Sequence, residues 1–332
     1  MKRVFLVCVA ICCVGSLRAQ DVHVTQIDQQ ALLVSPALCG FSSKGSIQLG
    51  TRQQWKTALA PFQTQVLNGQ YRFGAQGRQD HATLALGFQA TLDQSGDLSL
   101  KASSLATHVA AKVPLSRYAQ LGAGLYVGFG QRSIEAGGQW GSQYNGLTYD
   151  PSMNPGVFTA QRYAYSFADL GFGASYQYVR GQVREQTLSK WQSALGFYHV
   201  NRPNDAFLSA TNSVGMYVRW TFYSQAEICL RNTHSALVPM LFYQQQHLAH
   251  EWVYGLCYKS YIKGNCFSRI DQQQSLQFGL FHRWNDAFIV RFGVQFKQIQ
   301  AHVSYDLTLS DLSKIPKVQG AFELQLAYQF RE

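Results

Sequence analysis

Apolar side chains occupy every second position in several stretches of this sequence, and this alternation constrains the fold more than any other feature. The clearest stretch is 121–130, in which Leu, Ala, Leu, Val and Phe alternate with Gly, Gly, Tyr, Gly and Gly. Stretches 288–296 and 322–330 repeat the pattern, and the first carries Arg291 on the face opposite its apolar side chains. A period of two is typical of a β-strand with one apolar face. The sequence therefore predicts one-sided β-strands.

The length of these stretches separates two kinds of β-protein. Strands of a soluble sandwich usually span about five or six residues, whereas the stretches here span nine to eleven. That length lets a tilted strand cross a bilayer core of about 30 Å. In a closed membrane barrel the apolar face contacts lipid, the polar face lines the lumen, and every backbone group has a partner. Charged residues make up 14% of the chain, against roughly 25% in globular proteins. This low content and the alternation together predict an all-β fold, a transmembrane antiparallel β-barrel.

Fourteen stretches qualify as strands, so we expect about 14 strands, with 12 or 16 as alternatives. Each strand and its connection then take about 22 residues, about eleven in the strand and eleven in the connection. An even number of strands places both termini on the periplasmic side, and the barrel should form one domain, 45–332. The predicted strands are 45–55, 63–73, 82–91, 104–113, 121–130, 165–178, 191–200, 213–223, 236–245, 251–261, 275–284, 288–296, 300–307 and 322–330.

The N-terminus has the three parts of a secretory signal peptide. Lys2 and Arg3 precede the apolar run 4–14, and Gly15-Ser16-Leu17-Arg18-Ala19 follows it. We predict a signal peptide at 1–19, cleaved between Ala19 and Gln20, and export to the outer membrane. Residues 20–44 should then be a periplasmic segment leading into the barrel. The cysteines that remain are Cys39, Cys229, Cys257 and Cys266, and all three ways of pairing them stay open.

One connection is too long to be a turn. The gap between the fifth and sixth predicted strands, 133–164, should form a loop on the outer side of the membrane. Aromatic side chains within such a loop can anchor a partner protein. We take Trp140, Tyr144 and Tyr149 as candidates for that contact, with a passive surface loop as the alternative.

A search for catalytic, metal and nucleic-acid sites favours a protein without enzymatic activity, cofactor or metal. The segment 247–251, HLAHE, places its histidines at i and i+3, but a zinc-binding helix needs i and i+4. No G-x-S-x-G motif is present. The formal net charge of +10 is scattered along the chain, so nucleic-acid binding is not expected. The glycines of 121–130 should face the lumen and allow a loop or ligand to approach the wall.

Motifs at both ends and in the middle of the chain resemble those of one membrane-protein family. Residues 35–40 read SPALCG, 51–55 read TRQQW and 199–207 read HVNRPNDAF. Residues 305–313 read YDLTLSDLS and 320–330 read GAFELQLAYQF. Together they resemble the motifs of the PorP/SprF family of type IX secretion membrane proteins. The matching positions are Pro36, Gly40, Arg52, Trp55, His199, Pro203, Phe207, Tyr305, Asp306, Gly320, Glu323, Tyr328 and Phe330.

This resemblance implies an outer-membrane barrel without catalysis that works in the type IX secretion and gliding machinery of Bacteroidetes-type bacteria. It further implies that the barrel holds the C-terminal domain of a secreted adhesin or other cargo at the cell surface. Contacts with ring and lipoprotein components of the machinery are also expected.

A porin or a transporter of hydrophobic solutes is the alternative function. A porin needs opposed charges around a water-filled constriction. The predicted lumen positions are instead mostly Gly, Gln, Ser and Ala, which favours a filled barrel.

Overall fold

The computed structural model describes most of the chain: residues 21–41, 43–55, 62–74, 81–95, 100–135, 143–145, 148–150, 152–153, 162–179, 188–204, 215–230, 233–268, 270–310 and 320–330. These residues form a closed barrel of 14 antiparallel strands. Each strand pairs with the next along the chain, and the last pairs with the first. The predicted fold class and strand number are therefore confirmed. No helix in the described ranges is long and apolar enough to cross a membrane.

The strands are β1 Gly45–Gln54, β2 Phe62–Phe73, β3 Thr83–Ser95, β4 Leu100–Pro114, β5 Ala119–Glu135, β6 Arg162–Val179, β7 Leu188–Tyr198, β8 Arg219–Cys229, β9 Ser235–Gln246, β10 Ala249–Lys263, β11 Gln274–Arg283, β12 Ala287–Phe296, β13 Ile299–Thr308 and β14 Ala321–Gln329. A short α-helix, α1, spans Ala31–Val34. Single 3-10 turns occur at Ile27–Gln29, Pro36–Leu38 and Ile270–Gln272.

The largest difference from the predicted strands is at β8, which was expected at 213–223 and lies at Arg219–Cys229. The alternation does continue before Arg219, but that segment pairs with the loop that follows β7. Asn204 and Gly215 form an isolated antiparallel bridge, and the Met216 amide donates to the Pro203 carbonyl, at 2.8 Å. Alternation thus predicts which face of a strand is apolar. Where the strand begins depends on which segment its backbone groups pair with.

Side chains face the directions that the alternation predicts. In β5, Leu125 and Phe129 are 62% and 58% exposed on the outer wall, whereas Tyr126 is 8% exposed. In β12, Phe292 is exposed and Arg291 is buried within the lumen. The barrel therefore carries an apolar outer belt and a polar interior, as a membrane-spanning barrel requires.

The two ends of the barrel differ, and we name them by their connections. At the turn end β1 begins and β14 ends, and neighbouring strands are joined by connections such as 115–118 and 297–298. At the loop end lie the longest connections, 136–161 and 199–218. Strand lengths differ as well: β5 and β6 have 17 and 18 residues, and β14 has nine.

Residues 21–41 lie inside the barrel, and we call them the plug. Leu32, Val34 and Ala37 are 1%, 0% and 0% exposed, and the 3-10 turn Pro36–Leu38 packs against β4, β5, β6 and β7. This differs from the periplasmic segment expected for residues 20–44. The reason is that the apolar side chains of α1 are buried against the inner wall, where small residues leave room for them.

The plug runs lengthwise through the lumen. Asp21 lies at the loop end beside His199 and Arg219, and Phe41 lies toward the turn end over Lys112 of β4. The chain then enters β1 at Gly45. β1 begins and β14 ends at the same end of the barrel, as an even number of strands requires. The first described residue nevertheless lies at the opposite end. The predicted signal peptide and its cleavage site lie outside the described residues.

A disulfide joins the end of β8 to a connection at the turn end. Cys229 at the end of β8 pairs with Cys266 in the connection after β10, with 6.2 Å between their Cα atoms. Cys39 of the plug and Cys257 of β10 are buried free thiols. The structure therefore forms one pair, Cys229 with Cys266, and leaves the other two cysteines unpaired, in contrast to the full pairings that the sequence left open.

Candidate functional site

A row of glycines forms the wall against the plug. Gly124, Gly173 and Gly196 are register partners on β5, β6 and β7, and the next partner in the row is Thr221 on β8. A Cβ atom added to Gly124 would lie 2.4 Å from the Ala37 amide nitrogen. Because real Cβ atoms do not approach so closely, only glycine leaves room here for the plug backbone. The lumen-facing glycines of β5 thus do admit a chain segment, as the sequence suggested.

Wall side chains satisfy the plug's backbone carbonyls along this row. The Thr221 hydroxyl donates to the Val34 carbonyl, and the Tyr198 hydroxyl donates to the Leu32 carbonyl at 2.7 Å. A buried carbonyl without a partner would cost free energy. These hydrogen bonds therefore fix the height of α1 in the lumen.

One cluster of charged groups holds the plug against β1, β11, β13 and β14. We call it the Asp306 cluster, and its members are Thr25, Arg52, Arg283, Asp306 and Glu323. Arg52 and Arg283 each lie 3.0 Å from the Asp306 carboxylate. Glu323 accepts the Thr25 amide at 2.6 Å and lies 3.6 Å from Arg52.

The Thr25 hydroxyl lies at the centre of this cluster. It accepts from Arg52 and from Arg283, at 3.0 Å, and it donates to Asp306 at 2.8 Å. Arg52, Asp306 and Glu323 are at most 4% exposed. Buried charges with several partners are costly to disturb, because removing one leaves another uncompensated. The cluster therefore fixes the plug's first residues to the wall.

A second cluster holds the plug against β6, β7 and β8, on the other side of the lumen. We call it the His199 cluster, and its members are Asp21, Asp169, His199 and Arg219. The His199 ring nitrogens lie 2.5 Å from the Asp21 carboxylate and 2.9 Å from the Asp169 carboxylate. Arg219 lies 3.1 Å from Asp21.

Charge in this cluster sets the protonation of the imidazole. Burial alone would lower the pKa of His199, but Asp21 and Asp169 raise it to about 9. Burial would raise the pKa of Asp21, but His199 and Arg219 lower it well below its usual value. At neutral pH the cluster therefore contains an imidazolium between two carboxylates.

A third contact lies deeper in the lumen. Asp28 of the plug lies 2.6 Å from Arg291 of β12, whose guanidinium stacks 4.5 Å from the Phe281 ring centre. The plug contains no Lys or Arg and supplies two carboxylates, Asp21 and Asp28. Both meet arginines of the wall. Plug and wall are thus electrostatically complementary.

Above the plug, at the loop end, lies a cavity of about 860 Å³. Its lining includes Asp21 and Val22 of the plug, Arg132 of β5 and Arg219 of β8. Aromatic rings of Tyr126, Phe167, Tyr198 and Trp55 are also among the lining groups. The cavity combines charge with aromatic surface, a composition suited to holding a polypeptide segment.

The structure brings together some of the sequence-predicted positions and separates others. Arg52, Asp306 and Glu323 meet in the Asp306 cluster, and His199 lies in the other cluster. Pro36 and Gly40 belong to the plug.

The remaining predicted positions lie apart from the plug. Trp55 follows β1 with φ +55° and packs edge-on against Phe62. Gly320 has φ +71° and lies against the Tyr305 hydroxyl. Pro203 is buried at the loop end, and Tyr328 and Phe330 form an edge-on pair at the turn end.

Of the candidate loop aromatics, Tyr144 and Tyr149 pair through an isolated bridge and are 55% and 37% exposed. Trp140 and Phe207 lie outside the described residues. Sequence reasoning missed Asp21, Thr25, Asp28, Asp169, Arg219 and Arg283. Arg219 and Arg283 could have been found, because each is a charged residue on the polar, inward face of a strand whose other face is apolar.

The described residues show no metal-binding arrangement. No group of three or more His, Cys, Asp or Glu among them could hold an ion. In the HLAHE segment, His247 stacks on Tyr217 with ring centres 3.9 Å apart, while His250 is exposed. These two histidines therefore do not form a shared site.

The fold and the interior define a transmembrane β-barrel whose lumen is filled by its own N-terminal segment. The model of the PorP/SprF family, described as type IX secretion system membrane protein, matches residues 16–328. The chain belongs to this family.

Several solved barrels resemble the chain at low identity. A Pseudomonas aeruginosa FadL homologue is 13% identical, with 96% of each chain covered and a TM-score of 0.49. The CymD monoaromatic hydrocarbon channel is 10% identical, with 93% of this chain and 94% of that one covered and a TM-score of 0.47. BamA from Haemophilus ducreyi is 11% identical, with 87% and 70% covered and a TM-score of 0.43. No curated protein matches the sequence significantly.

Proposed function

We propose that this barrel is a non-catalytic component of the type IX secretion and gliding machinery that docks the C-terminal domain of a secreted protein or adhesin at the cell surface. The observation that carries the proposal is the family match over residues 16–328. Longer connections of membrane barrels face outward and shorter ones face the periplasm. The loop end is then the cargo-facing end, with Trp140, Tyr144 and Tyr149 as its aromatic contacts. The turn end faces the ring and lipoprotein components.

The filled lumen supports docking over passage of solutes. A porin needs a continuous water-filled path, and here the plug spans the lumen and is held at Asp21, Thr25 and Asp28. We expect purified protein in a planar bilayer to show no steady ion current. A steady current from the intact chain would favour the channel alternative.

Deletion and complementation test the docking role directly. In cells that lack the gene, we expect secreted proteins with C-terminal sorting domains to leave the cell surface and accumulate in the medium. Reintroducing the wild-type gene should restore their retention. Unchanged retention in the deletion strain would contradict the proposal.

A further inference from the structure

The connections at the two ends of the barrel differ in charge. In the sequence, those at the turn end carry seven Lys or Arg and three Asp or Glu, whereas those at the loop end carry four and five. The turn-end residues are Arg78, Arg117, Arg180, Arg184, Arg231, Arg269 and Lys297, with Asp80, Glu185 and Asp271. The loop-end residues are Lys56, Arg202, Lys314 and Lys317, with Asp97, Asp150, Asp205, Asp286 and Asp311. The turn end is therefore the basic end of the barrel.

A group of basic side chains continues this charge into the mouth of the lumen. We call it the Lys112 cluster, and its members are Lys44, Arg72 and Lys112. The Arg72 amide of β2 donates to the Lys44 carbonyl at 2.7 Å, so Lys44 lies beside Arg72 just before β1. Arg72 and Lys112 lie on either side of β3, which carries the small Ala85 as the partner of Arg72.

Arg72 and Lys112 meet at the end of the plug. A Cβ atom at Gly40 would lie 3.2 Å from the Arg72 Cβ and 3.6 Å from the Lys112 amine. The Arg72 guanidinium donates to the Gly40 carbonyl at 3.5 Å, and the Lys112 amine lies 3.8 Å from the centre of the Phe41 ring. Gly40 and Phe41 thus supply a carbonyl and a ring to these cations, and neither residue supplies a negative charge.

Lys112 is a buried donor without an acceptor. It is 2% exposed, and within the described part of the chain its amine has no hydrogen-bond partner. The cations Arg72 and Lys190 both act on its charge. Buried polar groups in proteins nearly always have a partner, because an uncompensated one is costly. Lys112 therefore indicates, independently of the basic connections, that an acidic group binds here.

Basic residues across the mouth have a carboxylate of their own. Glu227 of β8 lies 3.7 Å from Lys259 of β10 and is the register partner of Lys190 on β7. The described residues place no such carboxylate at the Lys112 cluster. The nearest connection, 74–82, contains one Arg and one Asp, so it adds no net negative charge. The excess of positive charge is therefore at the Lys112 cluster.

The direction of these side chains favours a polypeptide over lipid headgroups. Tyr71, Phe73 and Val113, the sequence neighbours of Arg72 and Lys112, are 38%, 45% and 53% exposed on the outer wall. Because successive side chains of a strand face opposite sides, the cations face the lumen and not the bilayer. Lys44 and Arg72 are partly exposed, so a segment that enters the mouth can contact them.

We propose that the Lys112 cluster binds an acidic segment of a periplasmic protein, with a carboxylate of that segment against Arg72 and Lys44. Arginine forms strong, charge-assisted hydrogen bonds with carboxylates. The basic connections around the mouth attract an acidic partner and speed its association. This inference rests on the proposed function, which places the turn end toward the periplasm, and it names the site at which a component of the machinery attaches.

Peptide binding to the purified barrel tests the proposal. The protein is placed in nanodiscs of zwitterionic lipid, and binding of a fluorescent deca-glutamate peptide is measured by microscale thermophoresis beside a deca-serine peptide. We expect binding of the glutamate peptide alone, weakening as salt is added. Arg72→Glu should lower the affinity about tenfold, the scale of one lost charge-assisted hydrogen bond. Lys44→Glu, outside the strands, should lower it in the same direction.

Lys297→Glu is the matched control for these variants. It makes the same charge change in an exposed turn at the same end, between β12 and β13, and we expect the affinity to stay within about twofold of wild type. Thermal unfolding of each variant shows that the barrel is intact. Equal weakening by Lys297→Glu and Arg72→Glu would overturn a site at the Lys112 cluster. Absence of binding, or displacement of the peptide by an equal concentration of short-chain phosphatidylglycerol, would also overturn the proposal.

A photo-crosslinking residue in place of Thr83, the β3 partner of Lys112, identifies the occupant in cells. We expect adducts that map to one acidic segment of a periplasmic protein and that disappear with Arg72→Glu. Adducts with phospholipid alone, or adducts that persist with Arg72→Glu, would contradict the proposal. Retention of secreted proteins is a separate measurement. If deletion of the gene leaves retention unchanged, the docking function fails, whereas the peptide-binding result still decides the site.

Discussion

Two charged clusters hold the plug against the barrel wall, and they differ in the chemistry of their positive groups. The Asp306 cluster joins two arginines to carboxylates and a threonine hydroxyl, and arginine stays charged at any pH that a protein tolerates. The His199 cluster depends on an imidazole that lies between Asp21 and Asp169. At moderately alkaline pH the imidazolium of the second cluster can lose its charge, whereas Arg219 of that cluster stays charged beside Asp21. The comparison therefore separates a permanent attachment from one that weakens when it is titrated.

Arg52→Ala breaks the permanent attachment and should have the largest effect. It leaves Asp306 and Glu323 buried with fewer partners, so we expect a loss of about 3 to 5 kcal/mol of stability. Thermal unfolding of the purified barrel measures this loss. Arg117→Ala, in an exposed turn, is the control and should change little. An Arg52→Ala protein as stable as this control would show that the cluster is not holding the structure together.

Leu125→Arg should destabilise the barrel wall without loosening the plug, so it separates the two effects. The substitution puts a charge on the lipid face, where Leu125 is 62% exposed, and should cost about 2 to 4 kcal/mol. A spin label at Val22→Cys reports plug mobility by electron paramagnetic resonance. In the fraction that folds, we expect the label to remain as immobile as in the parent. Folding at the parent's yield and stability would mean that β5 does not face lipid.

Raising the pH should weaken the His199 cluster and leave the Asp306 cluster unchanged. The folded-state pKa of His199 is about 9, above the unfolded value of about 6.5. Its contribution, roughly 3 kcal/mol at most, is therefore complete below pH 6.5 and disappears as the pH rises through 9. The Val22→Cys label should become more mobile over that window, while Arg219 still contacts Asp21 and the Asp306-cluster contacts persist. Adding His199→Gln should remove the pH dependence, and a titration that survives this substitution would assign it to another group.

Gly173→Ala should have the smallest effect, because it adds only one methyl group, which crowds the plug, and removes no charged contact. The added Cβ would lie 2.2 Å from the Ser35 hydroxyl and 2.7 Å from the Leu195 carbonyl. We expect a loss of about 1 to 3 kcal/mol from overpacking and a shift in the Val22→Cys spectrum. Gly69→Ala is the matched control, since nothing lies within 4 Å of its Cβ position. Equal stability of the two variants would mean that the plug is not seated against the glycine row.

The strands and their facing could be predicted because alternation is a local property of the chain. The outward direction of Leu125 and the inward direction of Arg291 follow from it directly. The start of β8 could not, because the backbone partner of Met216 is a loop residue, Pro203, which the apolar pattern does not identify.

The plug and its clusters could not be predicted from local patterns. Thr25 and Asp306 are 281 positions apart in the chain, and Asp28 meets an arginine 263 positions away. The short apolar run of α1 resembles any buried segment, and only the closed wall around it shows that it belongs in the lumen. The family motifs marked Arg52, His199 and Asp306 as positions of interest but not as partners of the N-terminal segment.

Arg52 and Glu323 are directly opposite one another where β1 meets β14, the seam at which the cylinder closes. Glu323 also accepts the amides of Thr25 and Gln26. The seam and the N-terminal segment thus share Glu323, and we expect closure of the wall and placement of the segment to be coupled. A folding intermediate in which the first and last strands have met around an empty interior would leave Glu323 without the two amides of Thr25 and Gln26. Those contacts favour closure of the barrel around the N-terminal segment over closure around an empty lumen.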